Sequence, residues 1–468
     1  MTTEGERVLK DTFSNFDALV GYNEWATETL DVHIATDFVY ETQDGACATE
    51  RGVFIAEDVP PHTEVFSIPL DSVFTVKSLQ KNAPFKSIAF FQQFMPERED
   101  EQLAIALLYE KFVRGDKSKW AKHIDLLPTT YYNALYFEPE VLKALEGSNL
   151  FFIALHIKEK VVADYTRLRD SVILELFDKI TESVNVDLEE SFSLKNYKWA
   201  ISTIWSRFVS LQLNDTWGEQ TEDIMKKGNI SRQIKQSFKA MVPVFDMLNH
   251  DPEAEMSHFV DKTLERFCLV SHQHWVAGSQ MFINYGPLSN HKLLTLYGFV
   301  IIDNPFDAVE MWLPMDAAST RYFEKKQQLL LSNGLDHATN PFELVADEVN
   351  DLLLIAARLQ EIDCETLELF VALANKALNG EIVSLENEQQ VLIRLICTLE
   401  SMLEAFPTSI DEDDELSMSW NNDLGNKQNN RFNHERMAIC IRRSEKFILS
   451  ENLNMFKWKL LNMLPRCQ

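Results

Sequence analysis

The sequence predicts an α+β fold, with two sets of short strands separated by a helical insertion and followed by an all-α C-terminal domain. Three observations carry this. Short β-rich runs cluster between Gly45 and Val76, and strands and turns return between Val242 and Phe306. About 150 residues of mainly helical period lie between them. Beyond Pro314 the chain reads as helical to its end.

In the first β segment, Val53-Phe-Ile-Ala, Glu64-Val-Phe-Ser-Ile and Ser72-Val-Phe-Thr-Val are strand-like, and Asp58-Val-Pro-Pro-His and Pro69-Leu-Asp supply turns. They read as successive antiparallel strands. The character changes near Arg98. Residues 103–112, 139–145, 152–177 and 197–211 have helical periodicity, whereas 215–228 is polar and loop-like. If both β segments build one domain, the helical block is an insertion within it. Further on, Ser384 is a candidate N-cap for an apolar stripe of Val391, Leu392, Leu395, Ile396, Leu399, Met402, Leu403 and Phe406, which Pro407 stops. The acidic run Ile410-Asp-Glu-Asp-Asp-Glu-Leu and the Asn-rich stretch to Asn430 read as an exposed loop. Residues 431–461 read as a long helix or helix pair. The expected divisions are 1–97, a helical insertion over 98–238, a second β segment over 239–310 and the helical domain over 311–468.

Composition narrows the function. Hydrophobic content of 46% supports folded cores in two or three domains. Apolar runs such as Leu150-Phe-Phe-Ile-Ala-Leu stay far below the roughly twenty residues that cross a bilayer, and the N-terminus lacks the layout of a signal peptide. No membrane partner is expected. The six cysteines are scattered without a CxxC pair, which suits cytosol or nucleus and predicts no metal site. A formal charge of −28 argues against nucleic acid as the main ligand and is compatible with a basic protein partner, although solubility explains it equally well. A monomer is expected.

The candidate site lies between Val242 and Asp307. It holds Val242-Pro-Val-Phe-Asp-Met-Leu-Asn-His, then Phe282-Ile-Asn-Tyr-Gly, Ser289-Asn290 and Tyr297-Gly-Phe. The chain has only 14 glycines, and Gly278, Gly286 and Gly298 fall close together here. A chain so sparing with glycine uses it where the backbone turns sharply or approaches something closely.

The order of these pieces resembles the SET-domain protein methyltransferases, and within them the branch of Rubisco large-subunit methyltransferase and actin-histidine methyltransferase. The resemblance runs from about Phe16 to Leu464 and implies a SET-type β-fold with a helical substrate-binding domain. It implies S-adenosyl-L-methionine as cofactor and lysine N-methylation of a non-histone protein, such as a ribosomal protein or elongation factor. Such chemistry needs a neutral nitrogen held in line with the departing sulfur, stripped of water and of its proton. Aromatic walls suit it, and a tyrosine hydroxyl, with an ordinary pKa of about 10, positions the amine rather than deprotonating it.

By the resemblance, Tyr285 is the catalytic tyrosine. Asn249 and His250 contact the cofactor, Arg207 in the Ser206-Arg207 pair binds its carboxylate, and Phe299 lies near it. Tyr297 is an aromatic wall, and Ser206, Val209 and Tyr297 fall on the substrate side. Asp246 braces the turn. The first cofactor loop departs from the family's Glu-Gly-x-Gly. Here it is Thr49-Glu50-Arg51-Gly52, which keeps the last glycine and assigns Glu50, Arg51 and Gly52 to backbone contacts. The closing Arg442-Arg-Ser-Glu-Lys pattern is expected to be a solvated helix face. Val209 stands where the actin-histidine enzyme has a hydrogen-bonding asparagine, which favours lysine as the target. A histidine methyltransferase and a non-catalytic scaffold remain the alternatives.

Overall fold

The computed structural model describes residues 21–45, 48–81, 83–180, 187–212, 237–335, 341–421 and 430–463, without the side chains of 40–50, 212 and 418–433. Cys47, Cys467, the segment 215–228 and most of the Asn-rich stretch lie outside the described residues, as do the side chains of Thr49 and Glu50. The chain divides into two compact units, residues 1–136 with 156–287 and 296–298, and residues 137–155 with 288–295 and 299–468. Among the described residues, no helix is long and apolar enough to cross a membrane.

Two four-stranded sheets organise the first unit. One has the order β1 (His33–Ile34), β4 (Thr63–Pro69), β9 (Arg266–Ser271), β8 (Met256–Asp261), antiparallel throughout. Its central strands β4 and β9 are near-continuous buried runs, so both of their faces meet core. The other has the order β2 (Phe38–Gly45), β3 (Ala48–Ile55), β10 (Gln280–Ile283), β7 (Asn249–His250). Strand β10 is antiparallel to β3 and parallel to β7, which joins the two β segments of the sequence in one sheet. A two-stranded ribbon pairs β5 (Phe208–Gln212) with β6 (Ser237–Met241).

Two local expectations fail here for identifiable reasons. Ser72-Val-Phe-Thr-Val is not a strand. Thr75 and Ser78 form a reciprocal capping box that starts the short helix α2 (Val76–Leu79), and only Phe74 keeps a β-bridge, to Met241. The helix expected over 197–211 ends at Arg207, because Phe208-Val-Ser-Leu-Gln is claimed by pairing with β6. Val209 therefore sits on a strand opposite Ala240 rather than on the helix.

Among the described residues, the first helix is α1 (Tyr22–Leu30), which precedes the sheets. The inserted block supplies α3 (Glu99–Leu108), α4 (Pro139–Ala144), α5 (Asn149–Leu168) and α6 (Leu194–Arg207). Nearly every residue of α3 is buried, as expected of a helix apolar on most faces. Helix α6 is capped by Ser193, whose side chain accepts from the Asn196 N–H, and it buries Tyr197, Ala200, Ile201 and Ile204 at helical spacing.

The second unit has its own core. It contains α7 (Phe323–Ser332), α8 (Asp351–Gln360), α9 (Leu367–Leu378), α10 (Leu385–Glu404), α11 (Ile410–Asn421) and α12 (Asn430–Met463). Ser384 caps α10 through the Asn387 N–H, and Val391, Leu392, Leu395 and Leu399 are buried. One small ribbon interrupts the helical run, with β11 (Val309–Met311) against β12 (Phe342–Leu344).

The acidic run expected as a loop is helix α11, and the charges expected on a solvated face of α12 are buried. Asp413 pairs with Arg442 at 2.6 Å and with Lys446 at 2.7 Å. Glu445 is bonded to His291 and to Ser148. Consecutive acids look soluble in one dimension, yet Asp413 and Asp414 become ion-pair partners once a second, basic helix lies beside them.

Candidate active site

The site is built on β10 and the segment leading into β7. Register places Phe282 beside Asn249 and Ile283 beside His250. The approach to β7 is strained. Val244, fully buried and β-branched, has φ 73° and ψ −54°, a conformation that costs on the order of 1–3 kcal/mol. Asp246 fixes the turn that follows. Its side chain is 1% exposed and accepts from His123 Nε2 at 3.1 Å, and its carbonyl accepts from Arg207 Nη1 at 2.7 Å.

At the other end of β10, Asn284-Tyr-Gly forms a small turn. Asn284 Oδ1 accepts the Gly286 N–H at 2.8 Å while its amide donates to the Pro252 carbonyl at 2.9 Å. Gly286 has φ 112°, and nothing lies within 4 Å of where a Cβ would stand. The turn aims Tyr285 between two other rings. His250 and Tyr285 stack at 4.9 Å between centroids, and Tyr285 and Tyr297 at 4.7 Å, with interplanar angles of 21° and 26°. The Tyr285 N–H donates to His250 Nδ1 at 3.1 Å, and the Tyr285 hydroxyl donates to the Leu248 carbonyl at 2.8 Å. Burial lowers the pKa of His250, which agrees with Nδ1 acting as an acceptor. Burial also pushes the Tyr297 phenol up to about 12.

Arg207, the last residue of α6, closes the back of this arrangement with its side chain only 12% exposed. Burial opposes its charge, but Asp246, Tyr131 and Tyr285 together hold its pKa above the ordinary arginine value. Nη1 is spent on Asp246, whereas the buried Nε–H has no partner among the described residues. An orphaned guanidinium N–H is costly unless something accepts from it, and a carboxylate is its natural complement. This donor set therefore fits a ligand that carries one.

The structure brings together Arg51, Asn249, His250, Tyr285, Tyr297 and Arg207. Asn249 donates its amide to the Arg51 carbonyl at 3.1 Å, which ties β3 to β7. Gly52 is explained at least partly by packing, since a Cβ there would stand 2.5 Å from Gln280 Nε2 and 2.9 Å from the Phe54 ring. Ser206 is half-buried, and its hydroxyl contacts the Thr203 carbonyl at 3.3 Å. Val209 is half-buried on β5. Phe299 is half-buried and belongs to the second unit. The Glu50 side chain lies outside the described residues. Sequence reasoning missed Tyr22, His123 and Tyr131, the last bonded to Thr203 at 2.8 Å. Each is a single residue in a separate segment, and nothing local marks it.

Comparison with known proteins agrees with this architecture. A family described as Rubisco LSMT substrate-binding matches residues 317–449. The ribosomal lysine N-methyltransferase set10 of Schizosaccharomyces pombe is 26% identical over 317 residues, covering 64% of this chain and 50% of that protein. The human actin-histidine N-methyltransferase is 24% identical, covering 86% of this chain and 62% of that one. Human SET domain-containing protein 4 is 26% identical, covering 74% and 72%. The chain thus spans half to under two thirds of the length of the first two relatives. Among solved structures, the SET domain of LSMT bound to lysine and AdoHcy superposes with a TM-score of 0.74 at 19% identity, covering 96% of this chain and 92% of that one. Rubisco LSMT bound to AdoMet gives 0.73 at 21% identity, covering 95% and 93%.

Proposed function

We propose that the chain, which is similar to Rubisco LSMT, human SET domain-containing protein 4 and the actin-histidine enzyme, is a SET-domain methyltransferase that transfers a methyl group from S-adenosylmethionine to a lysine of a non-histone protein. One observation carries the proposal: the stack of His250, Tyr285 and Tyr297 with the incompletely bonded Arg207 guanidinium close enough for Tyr285 to influence its charge.

S-adenosylmethionine, when bound, supplies a methyl group held on a sulfonium. Arg207 would take its carboxylate through the orphaned Nε–H, while Asn249, His250 and the backbone at Arg51 and Gly52 would hold the remainder. Glu50 and Phe299 are assigned to the same ligand by sequence pattern alone. Tyr285 works at the other reactant. Its hydroxyl proton is committed to the Leu248 carbonyl, so the oxygen offers lone pairs to an approaching amine N–H. That contact turns the nitrogen's own lone pair toward the methyl group, which is positioning rather than proton abstraction. The rings of His250 and Tyr297 exclude water, and that desolvation favours an amine that has shed its proton. Ser206, Val209 and Tyr297 are assigned to the substrate side by sequence pattern. Val209 can neither donate nor accept through its side chain, which favours lysine over an imidazole that needs a polar partner. The net charge of −28 suits a substrate with a basic surface.

The test combines labelling with one variant. Incubation with labelled S-adenosylmethionine and an extract of cells lacking the protein should label a discrete protein, and mass spectrometry of the labelled peptide should place the methyl group on lysine. Methylhistidine would overturn the lysine assignment. Tyr285→Phe should cut turnover on the order of 100-fold while cofactor affinity changes by less than about twofold. Unchanged turnover would remove Tyr285 from the mechanism. Absence of binding at millimolar cofactor would favour a scaffold.

A further inference from the structure

Behind Arg207 runs a chain of buried polar groups drawn from four separated parts of the sequence. Tyr22 on α1 lies 2.7 Å through its hydroxyl from His123 Nδ1. His123 Nε2 lies 3.1 Å from Asp246 Oδ2, and Asp246 Oδ1 lies 3.4 Å from Arg207 Nη1. Tyr22 and His123 are each 1% exposed, and the Asp246 side chain equally so. A carboxylate only accepts, so the network assigns the hydrogen to His123 Nε2 and leaves Nδ1 to accept from Tyr22. Every donor in the chain then points toward Asp246. The His123 ring is also held from its face, stacked 6.2 Å from Tyr22, which in turn stacks on Trp25 at 5.2 Å.

We infer that Tyr22 and His123 are positioning residues for ligand binding: Tyr22 fixes the His123 ring, His123 fixes one Asp246 oxygen, and the Asp246 so held orients the Arg207 guanidinium toward the ligand carboxylate. The inference rests on the proposed cofactor reading, and neither residue touches substrate or cofactor. The physical reason is directional. Asp246 has two oxygens and two competing donors. While His123 occupies one oxygen, Asp246 holds Arg207 through Nη1 and the arginine keeps its Nε–H, without a partner among the described residues, for the ligand. If His123 loses its orientation, the freed oxygen competes for the remaining arginine donors in a site from which water is excluded.

The experiment uses the full chain and isothermal titration with two ligands. One is S-adenosylmethionine. The other is 5′-methylthioadenosine, which keeps the adenosine but has no carboxylate. Tyr22→Phe removes one oxygen and preserves ring packing, so it is the main variant, and His123→Gln, which retains a donor, is the second. Tyr22→Phe should weaken S-adenosylmethionine about fivefold and leave methylthioadenosine unchanged. His123→Gln should weaken S-adenosylmethionine no more than about fivefold, because its amide still donates to Asp246. In an Arg207→Lys background, Tyr22→Phe should have no further effect, because the arginine it acts through is gone. Equal weakening toward both ligands, or none toward either, overturns the positioning role alone. An unmodified chain that binds neither ligand overturns the functional reading and this role with it.

Discussion

Gly298 holds left-handed backbone at φ 84°, and a Cβ there would stand 2.9 Å from the Asn133 backbone nitrogen and 3.0 Å from the Tyr132 carbonyl carbon. Those neighbours are main chain and cannot rotate aside. Gly52 is a different case, because its nearest obstacle is the end of the flexible Gln280 side chain. Gly298→Ala should therefore destabilise the fold by roughly 2–4 kcal/mol, from the positive φ and the backbone clash together. Gly52→Ala should cost clearly less. Urea denaturation of both variants checks the order, and equal midpoints would refute it. Because Tyr297 immediately precedes Gly298, the alanine should also disturb the ring stack on Tyr285, so its loss of activity should exceed its loss of stability.

Helices α11 and α12 show what burial does to the value of a charge. Arg443 pairs with Asp414, with both side chains more than a third exposed, and such pairs contribute at most about 1 kcal/mol. Asp413 is fully buried between Arg442 and Lys446, themselves 6% and 3% exposed in their side chains. Removing it strands two buried cations. Asp413→Ala should lower stability by about 3–5 kcal/mol, while Asp414→Ala should stay within about 1 kcal/mol, and comparable losses in thermal denaturation would contradict this. This contrast was not legible in the sequence. Arg442 and Asp413 are 29 residues apart, and no periodicity marks an ion pair across that distance. What was legible had local causes: the Ser384 cap and apolar stripe of α10, and the strands around Val53 and Glu64. The helix boundary at Arg207 was hidden because Phe208-Val-Ser-Leu-Gln fits either period until β6 is known to pair with it. The motif residues of the site could be recognised as an ordered pattern. The Tyr22–His123–Asp246 chain could not, since tertiary folding alone brings its members together.

At the scale of the whole chain, pH dependence follows from which ionisable groups are buried. Burial pushes Glu99 up from an ordinary 4.5 to about 7, against the opposing hydrogen bond from the Lys239 N–H at 2.8 Å. Burial raises Glu101 and Glu110 in the same sense. For His291, burial opposes the charge, but the adjacent Glu445 carboxylate outweighs it and the pKa is raised. In each case the folded chain holds a proton that the unfolded chain releases more readily. Their stabilising contributions are complete below the unfolded values and are lost as pH rises through the folded ones. His250 is lowered, so its contribution is present above the ordinary histidine value of about 6.5 and is lost as pH falls below it. The window from about pH 4.5 to 7 therefore belongs to the raised carboxyls and the one above 6.5 to His291, and the charge of −28 adds self-repulsion as they ionise. The melting temperature should fall as pH is raised from about 4.5 to 8. Glu99→Gln keeps the acceptor for the Lys239 N–H and removes the titration, so it should flatten that fall by up to roughly 3 kcal/mol in stability. Urea unfolding of both forms at three pH values decides the matter. Parallel slopes for the two forms would mean that Glu99 carries none of the dependence.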